Sequence, residues 1–65
     1  MEITKDFIIK KINGISRKLL DAYYRKHDAD NFFRIDNLLR ICREHELTQT
    51  EIPDLIEMQN VILMG

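Results

Sequence analysis

The stretch NFFRIDNLLRICREHE, residues 31–46, decides the fold class. Phe32, Ile35, Leu38, Leu39 and Cys42 recur every three or four residues, the spacing that gathers side chains on one face of an α-helix. Asp36, Arg40 and Glu44 follow one another at i, i+4 on a second face, where alternating signs support the same helix. A strand would require alternation with a period of two, and this stretch does not have it.

On the N-terminal side, His27-Asp28-Ala29-Asp30 reads as a turn, with Asp28 or Asp30 capping the helix that follows. Before it, Ile8, Ile12, Ile15, Leu19 and Ala22 are spaced by 4, 3, 4 and 3 residues. This is the stripe of an amphipathic helix running to about Lys26, with Thr4 as N-cap and Ile3 placed to staple against Ile8. Gly14 leaves two readings. A glycine inside a continuous or kinked helix costs only about 1 kcal/mol. Alternatively, Asn13-Gly14 ends a short helix and Ser16 caps a second one, with Ile15 stapling to Leu20.

On the C-terminal side, Thr48-Gln49-Thr50-Glu51 fits a capping box opening a last helix over about 51–63. Ile52, Leu55, Ile56 and Ile62 are expected to face inward, and Thr50 as the cap instead would put Pro53 harmlessly in the first turn. The end, Val61-Ile62-Leu63-Met64, is too apolar to be left in water. The expected fold is thus all-α, one domain over residues 1–65. It is either a three-helix bundle, with four helices if broken at Gly14, or an αα-hairpin with an appended third helix. A chain of 65 residues buries only about 60% of its unfolded surface, so dimerisation is the expected completion.

Cys42 is the sole cysteine, so no internal disulfide exists, and the usage fits a reducing, cytoplasmic setting. The apolar run Phe7-Ile8-Ile9 is too short for a signal-peptide core, and no stretch approaches the roughly 20 apolar residues of a membrane span. Charge is divided unevenly along the chain. Residues 1–27 hold seven Lys/Arg against three acids, whereas residues 28–65 hold three Arg against eight acids. Such halves can attract one another within a chain or across a dimer. In an antiparallel hairpin, Arg17, Asp21 and Arg25 would meet Glu44, Arg40 and Asp36.

Residues that carry chemistry are few. Structural zinc takes four ligands, and Cys42 with His45 supplies one short-spaced pair, so no metal site is expected. Neither a phosphate-binding glycine loop nor a nucleophile with an adjacent base is present, so no catalytic or cofactor-binding residue is expected and the chain does not read as an enzyme.

The segment from Glu46 to Ile56, with its Thr48-Gln49-Thr50-Glu51-Ile52 opening, resembles the first half of a helix-turn-helix in phage-repressor-like proteins. That resemblance implies a following recognition helix that contacts phosphates and base edges. From Glu44 onward, however, there are five acids and no Lys or Arg, and Pro53 departs from the pattern, so DNA reading by this half is disfavoured.

The function expected is that of a small regulatory or interaction protein, of inhibitor, adaptor or antirepressor type, that binds a larger protein and self-associates. Its partner-binding surface is expected on the C-terminal helix, where Glu51, Asp54 and Glu57 steer and Val61, Leu63 and Met64 hold. The alternative is a nucleic-acid-binding regulator that uses a basic face of Lys10, Lys11, Arg17 and Lys18; a membrane-surface helix comes third.

Overall fold

The computed structural model describes residues 4–64, which form three helices and no strand: α1 (Lys5–Arg25), α2 (Ala29–Glu44) and α3 (Leu55–Met64). The staple expected of Ile3 lies outside the described residues. Thr4 is the N-cap of α1, its hydroxyl accepting from the Phe7 N–H at 3.2 Å. The helix then runs unbroken through Gly14, which excludes the four-helix reading. Ser16 does not cap a second helix but lies wholly buried inside the first.

The inward register of α1 also differs from the expected stripe. Ile12, Ser16 and Leu20 form the buried line, Ile8 and Leu19 flank it half-buried, and Ile15 is 44% exposed. Apolar residues occupy a wide arc of α1, so spacings of three and four fit two neighbouring lines, and packing against the other elements selects between them.

The link from α1 to α2 is closed by side chains. Asn31 Nδ2 donates to the carbonyls of Ala22 and Lys26 at 3.3 and 2.9 Å, the former also accepting the Lys26 N–H at 2.9 Å. Asp28, rather than Asp30, is the cap of α2, accepting from the Asn31 N–H at 2.9 Å. α2 therefore begins and ends two residues before the expected bounds, with the expected face inward: Ile35, Leu38, Leu39 and Cys42 are buried. It ends in a Schellman motif. The Leu47 N–H bonds Cys42 O at 2.9 Å and the Glu46 N–H bonds Arg43 O at 3.2 Å, while buried Leu47 joins Cys42 in the core.

Glu46 sits in this motif at φ 54, a left-handed conformation that disfavours any residue with a Cβ. Replacing Glu46 by Gly is expected to stabilise the fold by about 0.5–1 kcal/mol, the relief of strain exceeding the added freedom of the unfolded chain. A raised urea midpoint measures it; a fall would mean that the Glu46 side chain contributes more than its strain costs.

The capping box is formed, but it does not open a helix. Glu51 accepts from the Thr48 N–H at 2.9 Å and lies 3.2 Å from the Thr48 hydroxyl, and the Ile52 N–H bonds Thr48 O at 2.9 Å. The turn stops there because a residue preceding proline avoids the helical region, so Ile52 and Pro53 interrupt it and α3 starts at Leu55. The expected helix over 51–63 is thus a capped turn followed by ten residues of helix. Its inward residues are Ile52, Leu55, Met58 and Val61, while Ile56 points to solvent and Ile62 is half-buried.

α2 packs against both α1 and α3. Leu20 from α1, Ile35 from α2, Ile52 from the link and Met58 from α3 are each fully buried in one core. The hairpin ion pairs expected between Arg17, Asp21, Arg25 and their partners on α2 do not form among the described residues. Arg40 stays with Asp36 on its own helix at 3.9 Å, and Arg17 turns toward Asp21 and the C-terminal segment. An i, i+4 row drifts about 40° per step, which carries Arg17 away from α2.

Candidate functional site

One face of α1 binds the segment 51–57. Asn13 Nδ2 donates to the backbone carbonyl of Glu51 at 2.9 Å, and the Ser16 hydroxyl donates to Asp54 Oδ2 at 2.7 Å. Arg17 forks onto Glu57, with Nη1 and Nη2 at 3.2 and 3.0 Å from its two carboxylate oxygens, and lies 3.7 Å from Asp54. Tyr24 donates its hydroxyl to the same Glu57 at 2.7 Å, and Lys5 lies 3.4 Å from Glu51. Hence the three acids expected to steer a partner are each bonded within the chain. Arg17 likewise leaves the expected basic face. The attraction between the oppositely charged halves is realised here, inside one chain.

These contacts set proton affinities. The Glu57 carboxyl is held below its ordinary value chiefly by hydrogen bonds from Arg17, then from Tyr24, against an opposing effect of burial. Glu51 is held low first by the Thr48 N–H, with burial opposing and Lys5 adding to the lowering. The Tyr24 hydroxyl is pushed up, mainly by its bond to Glu57.

A carboxyl whose folded-state value is depressed stabilises the fold fully above its unfolded value, 4.5 here, and loses that contribution as pH falls through the folded value. The urea midpoint is therefore expected to drop as pH falls through 4.5 and below, and Glu57→Gln should lower it at neutral pH while flattening the acid-side slope. An unchanged slope in the variant would show that Glu57 is not a source of the acid sensitivity.

The opposite side of α1 forms a second feature. Phe7, Ile8, Ile12 and Ile15 face Leu38 and Ile41 of α2, and His45 just past its end, across an open groove. Ile12 and Leu38 are its buried floor, whereas Phe7, Ile15 and Ile41 stand 42%, 44% and 40% exposed on its walls. Lys11 lies on the same wall with its Nζ 5.6 Å from the centre of the Phe7 ring, and Lys10 and Lys11 continue past Gly14 along the outer edge. Lys10, Lys11 and Lys18 are exposed, and no ion pair engages them among the described residues.

The remaining expected surface divides. Val61 is buried in the core at 9% exposure, so it is not available to a partner, whereas Leu63 and Met64 are 83% and 88% exposed at the end of α3. Cys42 is a buried thiol, its proton affinity raised by burial, and His45 is the C-cap residue of α2. No helix of the described residues is long and apolar enough to cross a membrane.

Sequence reasoning placed Ile15 in the inward stripe, named Phe7 only in an apolar run and passed over Ile41. For Phe7 and Ile15 the signal was an apolar arc on α1 broader than one buried line needs. Compared with known proteins, the chain matches no protein-family model, no curated protein and no solved structure.

Proposed function

We propose that this chain is a small, non-enzymatic regulatory or interaction protein that docks on a larger protein through the groove between α1 and α2. One observation carries the reading: Phe7, Ile15 and Ile41 stand exposed around an apolar floor, while residues of equal hydropathy nearby are buried. Large apolar side chains gathered on a small surface mark interaction sites more often than chance exposure does. The three helices would serve as a compact bundle that holds the two walls at fixed spacing, in a reducing, cytoplasmic setting.

Self-association belongs to the same proposal, through the exposed face of α3 where Ile56 and Leu63 lie seven residues apart and Met64 adjoins them. Both parts are tested with variants at exposed positions. A tagged protein is expected to retain a specific protein from native lysate after nuclease treatment, and Ile15→Ser with Ile41→Ser should lose it without changing the circular dichroism spectrum. Sedimentation at tens of micromolar should show a dimer that Leu63→Ser with Met64→Ser converts to monomer. Retention of the same protein by the groove variant would refute the docking site, and a monomeric parent protein would refute self-association.

A further inference from the structure

We infer that the groove accepts an acidic amphipathic helix of the partner protein. The inference rests on the groove being a protein-docking site, and it concerns the chemistry of the occupant. The groove has the proportions for such a guest. From Phe7 to Ile15 along α1 is about 12 Å at 1.5 Å per residue, roughly two turns of a helix laid alongside. A guest helix with apolar residues at i, i+3, i+4 and i+7 would set them against Phe7, Ile15 and Ile41 over the floor of Ile12 and Leu38.

Charge selects among amphipathic guests. Lys10 and Lys11 edge the α1 wall, Lys18 lies about two turns beyond them on α1, and none of the three is in an ion pair among the described residues. Asp6, Glu44 and Glu46 adjoin the groove residues Phe7 and His45 in sequence, but no carboxylate lines the groove itself among the described residues. The side chains that line the groove and its outer edge therefore carry positive charge, from Lys10 and Lys11. Carboxylates on the flanks of the guest would meet these lysines and gain on-rate and orientation, whereas a basic guest would be repelled.

A second copy of the chain is a poorer guest. Its own acids at Glu51, Asp54 and Glu57 are bonded to its own α1, and two grooves placed face to face would bring lysines together. Nucleic acid would satisfy the lysines but leave Phe7, Ile15 and Ile41 exposed or packed against phosphate and sugar.

The test uses two synthetic peptides of about 18 residues with the same Leu stripe, one carrying Glu and the other Lys on the polar face. Each is titrated into the isotopically labelled full chain and read by amide chemical shifts and anisotropy. The acidic peptide is expected to bind at least tenfold more tightly than the basic one and to shift amides of Lys11, Ile15 and Ile41. Ile15→Ser should weaken it at least fivefold, and Lys10→Glu with Lys11→Glu should remove or reverse the preference. Equal or reversed preference in the parent chain, shifts confined to α3, or displacement of the acidic peptide by a single-stranded oligonucleotide would overturn the inference. So would a dimer dissociated by Ile15→Ser, which would make a second copy the occupant. If the lysate protein depends on Ile15 and Ile41 while the acidic peptide does not bind, the guest chemistry is wrong and the docking site stands. If neither binds, both fail.

Discussion

Leu20→Ala is expected to lower the stability of the fold by about 2–5 kcal/mol, while Leu19→Ala, one residue earlier, costs nearer 1 kcal/mol. Leu20 is fully buried, and removing its side chain loses transfer energy and leaves a cavity, a combined cost of about 2–5 kcal/mol. A domain of this length has a total stability of roughly 3–10 kcal/mol, so the loss takes a large part of it. Leu19 only packs against the edge of the core and can be relaxed around by water, for a cost nearer 1 kcal/mol. Urea denaturation followed by helical circular dichroism separates the two. Similar losses at both positions would mean that the register of α1 is wrong by one residue.

That pair of leucines shows how far the sequence was legible. The all-α class, the cap Thr4, the narrowing of the second cap to Asp28 or Asp30, and the inward face of α2 follow from local rules, because each depends on residues within a few positions. The inward face of α1 does not. Its apolar arc includes Ile8, Ile12, Ile15, Leu19, Leu20 and Tyr23, so periodicity alone selected Ile15 and Leu19, where the fold buries Ser16 and Leu20.

A different limit operates at the start of α3. The box at Thr48 and Glu51 was read correctly as a local motif, but Pro53 acts two residues beyond it and separates the turn from the helix. For the candidate surface, residue types were visible and their partners were not. Glu51, Asp54 and Glu57 were recognised as an acidic set, yet apart from Thr48 at Glu51 the groups that engage them lie 33 to 46 residues away in sequence, on α1. The same distant pairing removed Arg17 from the basic face and left Lys10, Lys11 and Lys18 to define it.

The position where long-range pairing most clearly overrides the local pattern is Ser16, and the substitution Ser16→Ile is expected to destabilise the fold by about 2–4 kcal/mol. By periodicity alone, the change is an improvement. It would complete an uninterrupted line of Ile12, an isoleucine at 16 and Leu20 at i, i+4, in a helix whose interior tolerates β-branched residues at small cost. In the folded chain Ser16 has no exposed surface, and its hydroxyl lies 2.7 Å from Asp54 Oδ2. A larger side chain must push segment 51–57 outward, and Asp54 then loses the donor that meets it at the edge of the core. Ser16→Ala separates the two effects, since it removes the hydrogen bond without adding volume and should cost only about 1 kcal/mol. Exchanging the neighbours, with Ile15→Ser added to Ser16→Ile, keeps the composition constant and should not recover stability, because Ile15 is on the surface and its replacement is near neutral. Urea midpoints of the three variants decide the matter. If Ser16→Ile is as stable as the parent chain, the close seating of segment 51–57 on α1 is wrong, and with it the reason the three acidic residues are unavailable to a partner.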